Sequence, residues 1–139
     1  MDVGTKRIGI ALSDELGLTA QGYSVLQRVS RKQDIISIND ICRQSQVNKI
    51  VLGLPLNMNG TFGPKAIEVQ EFAAELGKSL RIETECWDER LSTLSAQKVL
   101  LQADVSRKKR KKVIDMLAAV TILQGYLDRM NNKPQTSRP

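Results

Sequence analysis

Acidic side chains at three places in the chain have the chemistry of a metal site. Asp2 follows a single apolar residue, Asp88 and Glu89 follow an alternating segment, and Asp115 lies near the start of an amphipathic segment. Mg²⁺ and Mn²⁺ prefer oxygen ligands and are often held by carboxylates from distant parts of a chain. Two such ions about 3.5–4 Å apart activate a water molecule and stabilise the leaving oxygen of a phosphodiester. The acids therefore predict metal-dependent phosphate-ester hydrolysis.

Cations lie close to these acids in the sequence. The run RKKRKK occupies residues 107–112, and we expect it to precede the last helix, with Asp115 in the first turn of that helix. Cations at that position oppose the helix dipole, so contact with phosphate is the favoured explanation. The predicted substrate contacts are Lys6, Arg7, Asn57, Arg90, Arg107, Lys108, Lys109 and Arg110.

Each of these residues also has a simpler interpretation when it is considered alone. The DVG turn is a common turn sequence, and Asp115 near a helix start complements the helix dipole. Asp88 and Glu89 beside Arg90 are compatible with a surface ion pair. A charged run such as residues 107–112 is commonly a solvated face, and asparagines such as Asn57 are ordinary turn formers.

Length and composition limit the classes of function. The chain has 139 residues, 41% hydrophobic and 26% charged, and a formal net charge of +6, which is compatible with a polyanionic partner. There is no histidine, which excludes a Ser-His-Asp triad and His-containing zinc sites. The two cysteines, Cys42 and Cys86, are expected to be reduced. We expect a cytoplasmic protein with one domain over residues 1–130, no membrane span and a frayed tail over residues 131–139.

Periodicity predicts an α/β protein with a mixed sheet. Strands are expected around residues 7–13, 23–27, 49–54 and 81–87, with Asp88 and Glu89 just beyond the last of them. Helices are expected around residues 33–46, 65–80, 92–102 and 113–130. In the last helix, Asp115 shares a face with the small side chains of Ala118 and Ala119, which would let the helix lie close to the sheet.

Four segments in this order resemble the YqgF/RuvX family of bacterial nucleases: DVGTKRIG, IVLGLPLNMNGT, DERLST and VIDMLAAVTILQGYL. The resemblance covers the chain from Asp2 to about Leu127. It implies a ribonuclease H-like fold, with a five-stranded mixed sheet of three antiparallel and then two parallel strands flanked by helices. It also implies that Asp2, Glu89 and Asp115 are the catalytic metal ligands, with Mg²⁺ or Mn²⁺ as the cofactor. The choice of Glu89 over Asp88 rests on this resemblance alone.

The resemblance also sets expectations for the substrate. The implied substrate is the 5′ end of pre-16S rRNA, and the alternative within the same chemistry is the Holliday junction, a branched DNA. A non-catalytic RNA-binding module is a further alternative, and the protein is expected to be a monomer or a homodimer. DVGT also resembles the first phosphate loop of actin-like ATPases, but those folds need two lobes. Family members have several apolar residues before the first aspartate, whereas only Met1 precedes Asp2 here, so we expect either a truncated start or a first strand that borrows from Val3 onward and is weakly held.

Overall fold

Three strands come first in the chain, and helices and strands alternate after them, in the order that periodicity predicts. The computed structural model describes the backbone of residues 1–91 and 107–132 and the side chains of residues 1–91 and 114–132. The strands are β1 (Asp2–Val3), β2 (Arg7–Ser13), β3 (Ala20–Gln27), β4 (Lys49–Leu54) and β5 (Glu83–Asp88). The helices are α1 (Arg31–Gln44), α2 (Pro64–Leu80) and α3 (Arg107–Asn131), with a 3₁₀ turn at Glu89–Leu91. The predicted helix 92–102 and residues 133–139 of the predicted tail lie outside the described residues.

The strands form two ladders. β1, β2 and β3 pair antiparallel in that order, and β4 pairs parallel with β5. The antiparallel part arises because β2 follows β1 through a tight turn, whereas α2 provides the crossover that a parallel β4–β5 pair requires. The fold is therefore a mixed α/β arrangement with an antiparallel three-stranded sheet and a parallel two-stranded sheet.

Met1 connects the two sheets. Its nitrogen donates to the carbonyl oxygen of Val51 at 2.6 Å, and its carbonyl oxygen accepts from the backbone nitrogen of Gly53 at 3.0 Å. One residue bonded to both neighbours of Leu52 is the hydrogen-bond pattern of a parallel pair. β1, β4 and β5 therefore run in the same direction, and their carboxyl ends lie at one edge. This is the edge at which α/β proteins usually bind ligands.

Two hydrophobic clusters hold the helices on the sheets. The larger cluster joins α1 and α2 to β1, β2 and β4, with Phe72, Ile8, Leu52 and Leu76 among its most deeply buried side chains. The smaller cluster joins α3 to β4 and β5 through Val51, Ile122 and Tyr126, with Trp87 packed against it. α3 also packs across β2 and β3. This packing brings α3 beside the strand that carries Asp2.

The predictions for the start of the last helix and for the end of the last strand were wrong. α3 already includes Arg107, so the basic run is part of the helix rather than a segment before it, and Asp115 does not lie in the first turn. Lys and Arg have high helix propensity, which accounts for a helix that includes them. β5 runs through Asp88, which pairs with Leu54, so Glu89 alone begins the following 3₁₀ turn. None of the described helices is long and apolar enough to cross a membrane.

Candidate active site

The turn after β1 sets the position of Asp2. The backbone nitrogen of Gly4 donates to the carbonyl oxygen of Arg7 at 2.8 Å, which closes the turn between β1 and β2. A Cβ at Gly4 would lie 2.7 Å from that carbonyl oxygen, so a side chain would obstruct the turn. Lys6 lies exposed on this turn, and its side chain makes no hydrogen bond to any described residue. Asp2 pairs with Gly9 across the two strands.

A buried ion pair supports the same turn, and the sequence analysis missed it. The guanidinium of Arg28 donates to the carbonyl oxygen of Gly4 at 2.9 Å and to the carboxylate of Asp34 at 3.2 Å. Asp34 is only 2% exposed and also accepts from the backbone nitrogen of Val29 at 3.0 Å. In the sequence, Asp34 looks like any acid near the start of a helix. Its partner lies before the helix, and periodicity gives no signal for that contact.

Asp2 on β1 and Glu89, which follows the carboxyl end of β5, are half-buried carboxylates. Burial is the largest cause that raises the pKa of Asp2, and the charge of Asp115 raises it further. Burial also raises the pKa of Glu89, followed by the charge of Asp2. The charges of these acids therefore act on one another in two pairs, Asp2 with Glu89 and Asp2 with Asp115.

Gly53 makes room for Glu89 against the sheet. A Cβ on Gly53 would lie 2.6 Å from Oε1 of Glu89 and 2.5 Å from Cδ1 of Ile122. The carboxylate of Glu89 thus occupies space beside β4 that any larger residue would fill. Gly53 also donates its backbone nitrogen to Met1, which precedes Asp2. A glycine in a buried strand was the available sequence signal for this close approach, and it was not used.

Asp115 is held by contacts with β2. Nε of Arg7 donates to Oδ2 of Asp115 at 2.7 Å, and both side chains are 24% exposed. A Cβ on Gly9 would overlap the backbone carbonyl oxygen of Asp115, so α3 crosses β2 at a point where only a glycine fits. The predicted close approach of α3 to the sheet is confirmed, with Ala119 fully buried, but the small residue at the contact with Asp115 is on the strand.

Asp88 forms an ion pair with Arg90. Its carboxylate accepts several hydrogen bonds from Arg90, the shortest at 2.7 Å, and the Arg90 hydrogen bonds lower the pKa of Asp88. Arg90 also donates to the carbonyl oxygen of Met58 at 3.2 Å, which ties the 3₁₀ turn to the loop after β4. Of the two acids that the sequence left open, Glu89 is the one whose pKa is raised by the charge of Asp2.

Asn57 organises the loop after β4. Its side-chain amide donates to Oγ1 of Thr61 at 3.0 Å, and its backbone nitrogen donates to the carbonyl oxygen of Thr61 at 2.9 Å. The amide oxygen of Asn57 also lies against Gly63, at 3.2 Å from the position of a Cβ there. The turn-forming alternative for Asn57 is therefore present in the structure. Arg107, Lys108, Lys109 and Arg110 belong to the backbone of α3, and their side chains lie outside the described residues.

The donor set fits a hard divalent cation, although it is not a closed cage. Among the described residues, no group of three or more His, Cys, Asp or Glu side chains is placed to hold a metal ion. Mg²⁺, however, is usually bound by one or two carboxylates together with waters and substrate phosphates. Asp2 and Glu89 supply two such carboxylates, and Asp115 lies within electrostatic range of Asp2. Cys42 and Cys86 are free thiols with no part in this cluster.

Comparisons with known proteins decide the family. The family model described as "RuvX: Holliday junction resolvase" matches residues 1–129. The chain belongs to the RuvX family. A protein of Syntrophomonas wolfei is 61% identical over 128 residues, which cover 92% of this chain and 91% of the relative. A protein of Clostridioides difficile is 59% identical with the same coverage, and one of Bacillus cytotoxicus is 50% identical over 92% of this chain and 95% of its own length. All three carry the name "Putative pre-16S rRNA nuclease".

Membership of the RuvX family confirms the resemblance that the four sequence segments carried. The match begins at Met1 and extends to within two residues of the end of α3, so it includes Asp2, Glu89 and Asp115. The elements that position these acids, including the turn at Gly4 and the glycines of β2 and β4, therefore all lie in the part shared with the family.

Proposed function

We propose that this RuvX-family protein is a metal-dependent nuclease that hydrolyses phosphodiester bonds, with Asp2, Glu89 and Asp115 as metal ligands and Mg²⁺ or Mn²⁺ as the cofactor. The observation that carries the proposal is the pair of half-buried carboxylates, Asp2 and Glu89, at the carboxyl edge of the sheet. Each of them is in an environment that penalises its charge. Such an arrangement costs stability unless a cation joins it, which favours a role in metal binding.

The proposed substrate is pre-16S rRNA, trimmed at its 5′ end in the cytoplasm. It is supported by the names of the relatives at 50–61% identity. Resolution of Holliday junctions is the second candidate, because the matching family model carries that description. A resolvase that cuts two strands would favour a homodimer, whereas an RNA-trimming enzyme can act as a monomer. The net charge of +6 is compatible with either nucleic acid.

The residues of the site would have separate roles in the proposed reaction. Metal ions bound to the acids would supply an activated water and stabilise the leaving oxygen. Asp2 would be held in place by the turn that Gly4 and Arg28 support. Glu89 would pack against β4 where Gly53 lacks a side chain. Arg7 would orient Asp115, since its guanidinium is hydrogen-bonded to that carboxylate. Arg90 would keep Asp88 away from the acid pair and hold the loop after β4.

We further propose that the two ladders form one five-stranded ribonuclease H-like sheet with the order β3-β2-β1-β4-β5. The support is the pair of hydrogen bonds between Met1 and β4, which have the parallel pattern. In such a sheet Asp2 lies on the central strand, flanked by β2 and β4. Hydrogen exchange tests this arrangement, since protection of the Gly53 amide should match that of the β4 core. Exchange of Gly53 at the rate of exposed loops would contradict it.

A cleavage assay tests the function. Labelled pre-16S rRNA and a four-way DNA junction are incubated with Mn²⁺, Mg²⁺ or EDTA, using the wild type, Asp2→Asn and the matched control Asp40→Asn on an exposed part of α1. We expect metal-dependent cutting that Asp2→Asn abolishes and Asp40→Asn preserves. The preferred substrate decides between rRNA trimming and junction resolution. Binding without cutting by the wild type would overturn the nuclease proposal and leave the RNA-binding module.

A further inference from the structure

Lys65 lies near the acids, and the sequence analysis did not select it. It is the second residue of α2, after Pro64, and its side chain is half-buried. Nζ of Lys65 lies 3.4 Å from Oγ1 of Thr5, in the turn that directly follows β1. α2 begins after the loop that leaves the carboxyl end of β4. Chain topology therefore places this ammonium at the same edge of the sheet as Asp2 and Glu89.

In the described part of the chain, the ammonium of Lys65 is not paired with an acid. Among the described residues, no carboxylate oxygen lies within 4.0 Å of Nζ of Lys65. Its charge nevertheless opposes the rise in pKa that burial causes at Asp2 and at Glu89. The contact with Thr5 thus holds the ammonium beside the turn that follows Asp2, and no described carboxylate neutralises it directly.

Three arginines of this region are bonded to protein carboxylates, whereas Lys6 is exposed on the turn after β1 and has no such partner among the described residues. Arg7 is bonded to Asp115, Arg28 to Asp34, and Arg90 to Asp88. The first turn of α2 has further donors, since Gly63 at the N-cap supplies no side-chain hydrogen bond. Backbone N–H groups at a helix start lack intrahelical partners and carry a partial positive charge. These donors add to the positive potential around Lys65.

We infer that Lys65 binds a non-bridging oxygen of the scissile phosphodiester, at the edge of the fold that its ammonium shares with the acids Asp2 and Glu89. The inference rests on the proposed nuclease function and adds a substrate-binding residue to it. An ammonium at this place would neutralise charge on the phosphate and orient it toward the acids, since positioned cations stabilise the charge that develops in phosphoryl transfer. A hydrogen bond to Thr5 would keep the flexible lysine side chain directed at the turn after β1.

Substitution of Lys65 tests the inference, with Lys78 as the control. Lys78 is an exposed lysine in the last turn of the same helix, about 20 Å away at 1.5 Å per residue. Lys65→Gln and Lys78→Gln therefore change the net charge equally at opposite ends of α2. We expect Lys65→Gln to lower kcat/KM for the cleaved nucleic acid about 10- to 100-fold, and Lys78→Gln to change it less than about twofold. Lys65→Arg should retain most of the activity.

A binding measurement in EDTA separates failure of this inference from failure of the nuclease proposal. The affinity for the same RNA and junction is measured between 50 and 200 mM salt, where each lost phosphate contact reduces the slope of log K against log salt by about 0.7–0.9. We expect that reduction for Lys65→Gln and an unchanged slope for Lys78→Gln. An unchanged slope for Lys65→Gln would overturn the inference, even if the wild type cuts. A reduced slope in a protein that cuts neither substrate would retain the phosphate contact and reject catalysis.

Discussion

Nε of Arg7 on β2 donates to Oδ2 of Asp115 on α3 at 2.7 Å, and this bond links residues 108 positions apart. The sequence analysis assigned Arg7 to the substrate phosphate because it lies near Asp2 in the chain. In the structure, the guanidinium instead holds one of the three candidate acids. We therefore expect Arg7 to act on the proposed reaction through Asp115, as a positioning residue.

Replacement of Arg7 distinguishes these two roles. In Arg7→Gln, Asp115 loses its partner and its fixed orientation, so we expect kcat to fall about tenfold or more while KM stays nearly constant. The salt dependence of RNA binding should be unchanged, because no phosphate contact is lost. The measurements are steady-state cleavage in Mn²⁺ and binding in EDTA. Arg7 would be a phosphate contact after all if the slope of affinity against salt falls by about one and kcat is retained.

Gly9 should be essential because the backbone of α3 lies against it. In Gly9→Ala the new Cβ meets the carbonyl oxygen of Asp115, and a backbone atom cannot turn away as a side chain can. We expect a loss of about 3 kcal/mol or more in the free energy of unfolding, measured with urea. Gly22→Ala on the neighbouring strand is the matched control. Its Cβ would meet side-chain atoms of Met116 at 3.5 Å, so the change should stay below about 0.5 kcal/mol. Equal losses in the two variants would disprove this contact.

Gly53 should affect activity more than stability. In Gly53→Ala the Cβ meets the ends of two flexible side chains, Glu89 and Ile122, which can both turn away. We expect a stability loss of about 1–2 kcal/mol and a fall in cleavage rate of about 100-fold, because the carboxylate of Glu89 is displaced.

The double variant Gly53→Ala, Ile122→Val separates the two contacts. Valine lacks the Cδ1 atom that lies 2.5 Å from the Cβ position, whereas Glu89 remains 2.6 Å away. Gly53→Ala should lower the free energy of unfolding less in the Ile122→Val background than in the wild type. Cleavage should stay low in the double variant. Recovery of cleavage in the double variant would show that the displacement of Glu89 is not the cause.

The sequence predicted the elements with strong periodicity and missed boundaries that depend on context. β4 was predicted with its observed bounds because residues 49–54 form one apolar run, and α2 was predicted to within one residue. The start of α3 was wrong because a run of six cations looks like a loop or an arm, although Lys and Arg favour helices. The local pattern predicts the bounds of a helix or strand well where hydrophobic spacing is regular. It fails where a charged run suggests a loop but its residues favour a helix.

The sequence supplied the candidate acids but not the residues that contact them. Asp2, Glu89 and Asp115 were selected through their residue types and the family resemblance. Gly9 and Gly53 were missed because their importance comes from atoms of Asp115 and Glu89, far along the chain. Lys65 was missed because its approach to the turn after β1 depends on how α2 packs against the sheet. Such contacts are tertiary, and no pattern of neighbouring residues records them.

Burial of Asp2 has a consequence for stability that depends on pH. Its pKa is raised by burial, so in the interval above the ordinary aspartate value the folded protein binds more protons than the unfolded chain. The free energy of unfolding therefore falls as pH rises through that interval, and the penalty persists at neutral pH. Without added metal, Asp2→Asn should melt about 3 °C or more above the wild type at pH 7, and the two should agree within about 1 °C near pH 3.

An acid with the opposite shift provides the control for this pH dependence. Backbone hydrogen bonds from Thr19 and Leu18 lower the pKa of Asp14, so its ionised form stabilises the fold. That stability is present above the ordinary aspartate pKa and is lost as pH falls through the lowered value. Asp14→Asn should therefore melt below the wild type at pH 7, the reverse of Asp2→Asn.

Added Mn²⁺ should raise the melting temperature of the wild type and of Asp14→Asn, but barely that of Asp2→Asn, because ligand stabilisation requires binding to the folded state. A lower melting temperature for Asp2→Asn at pH 7, with no response of the wild type to Mn²⁺, would show that the ionised Asp2 serves the fold and not a metal ion.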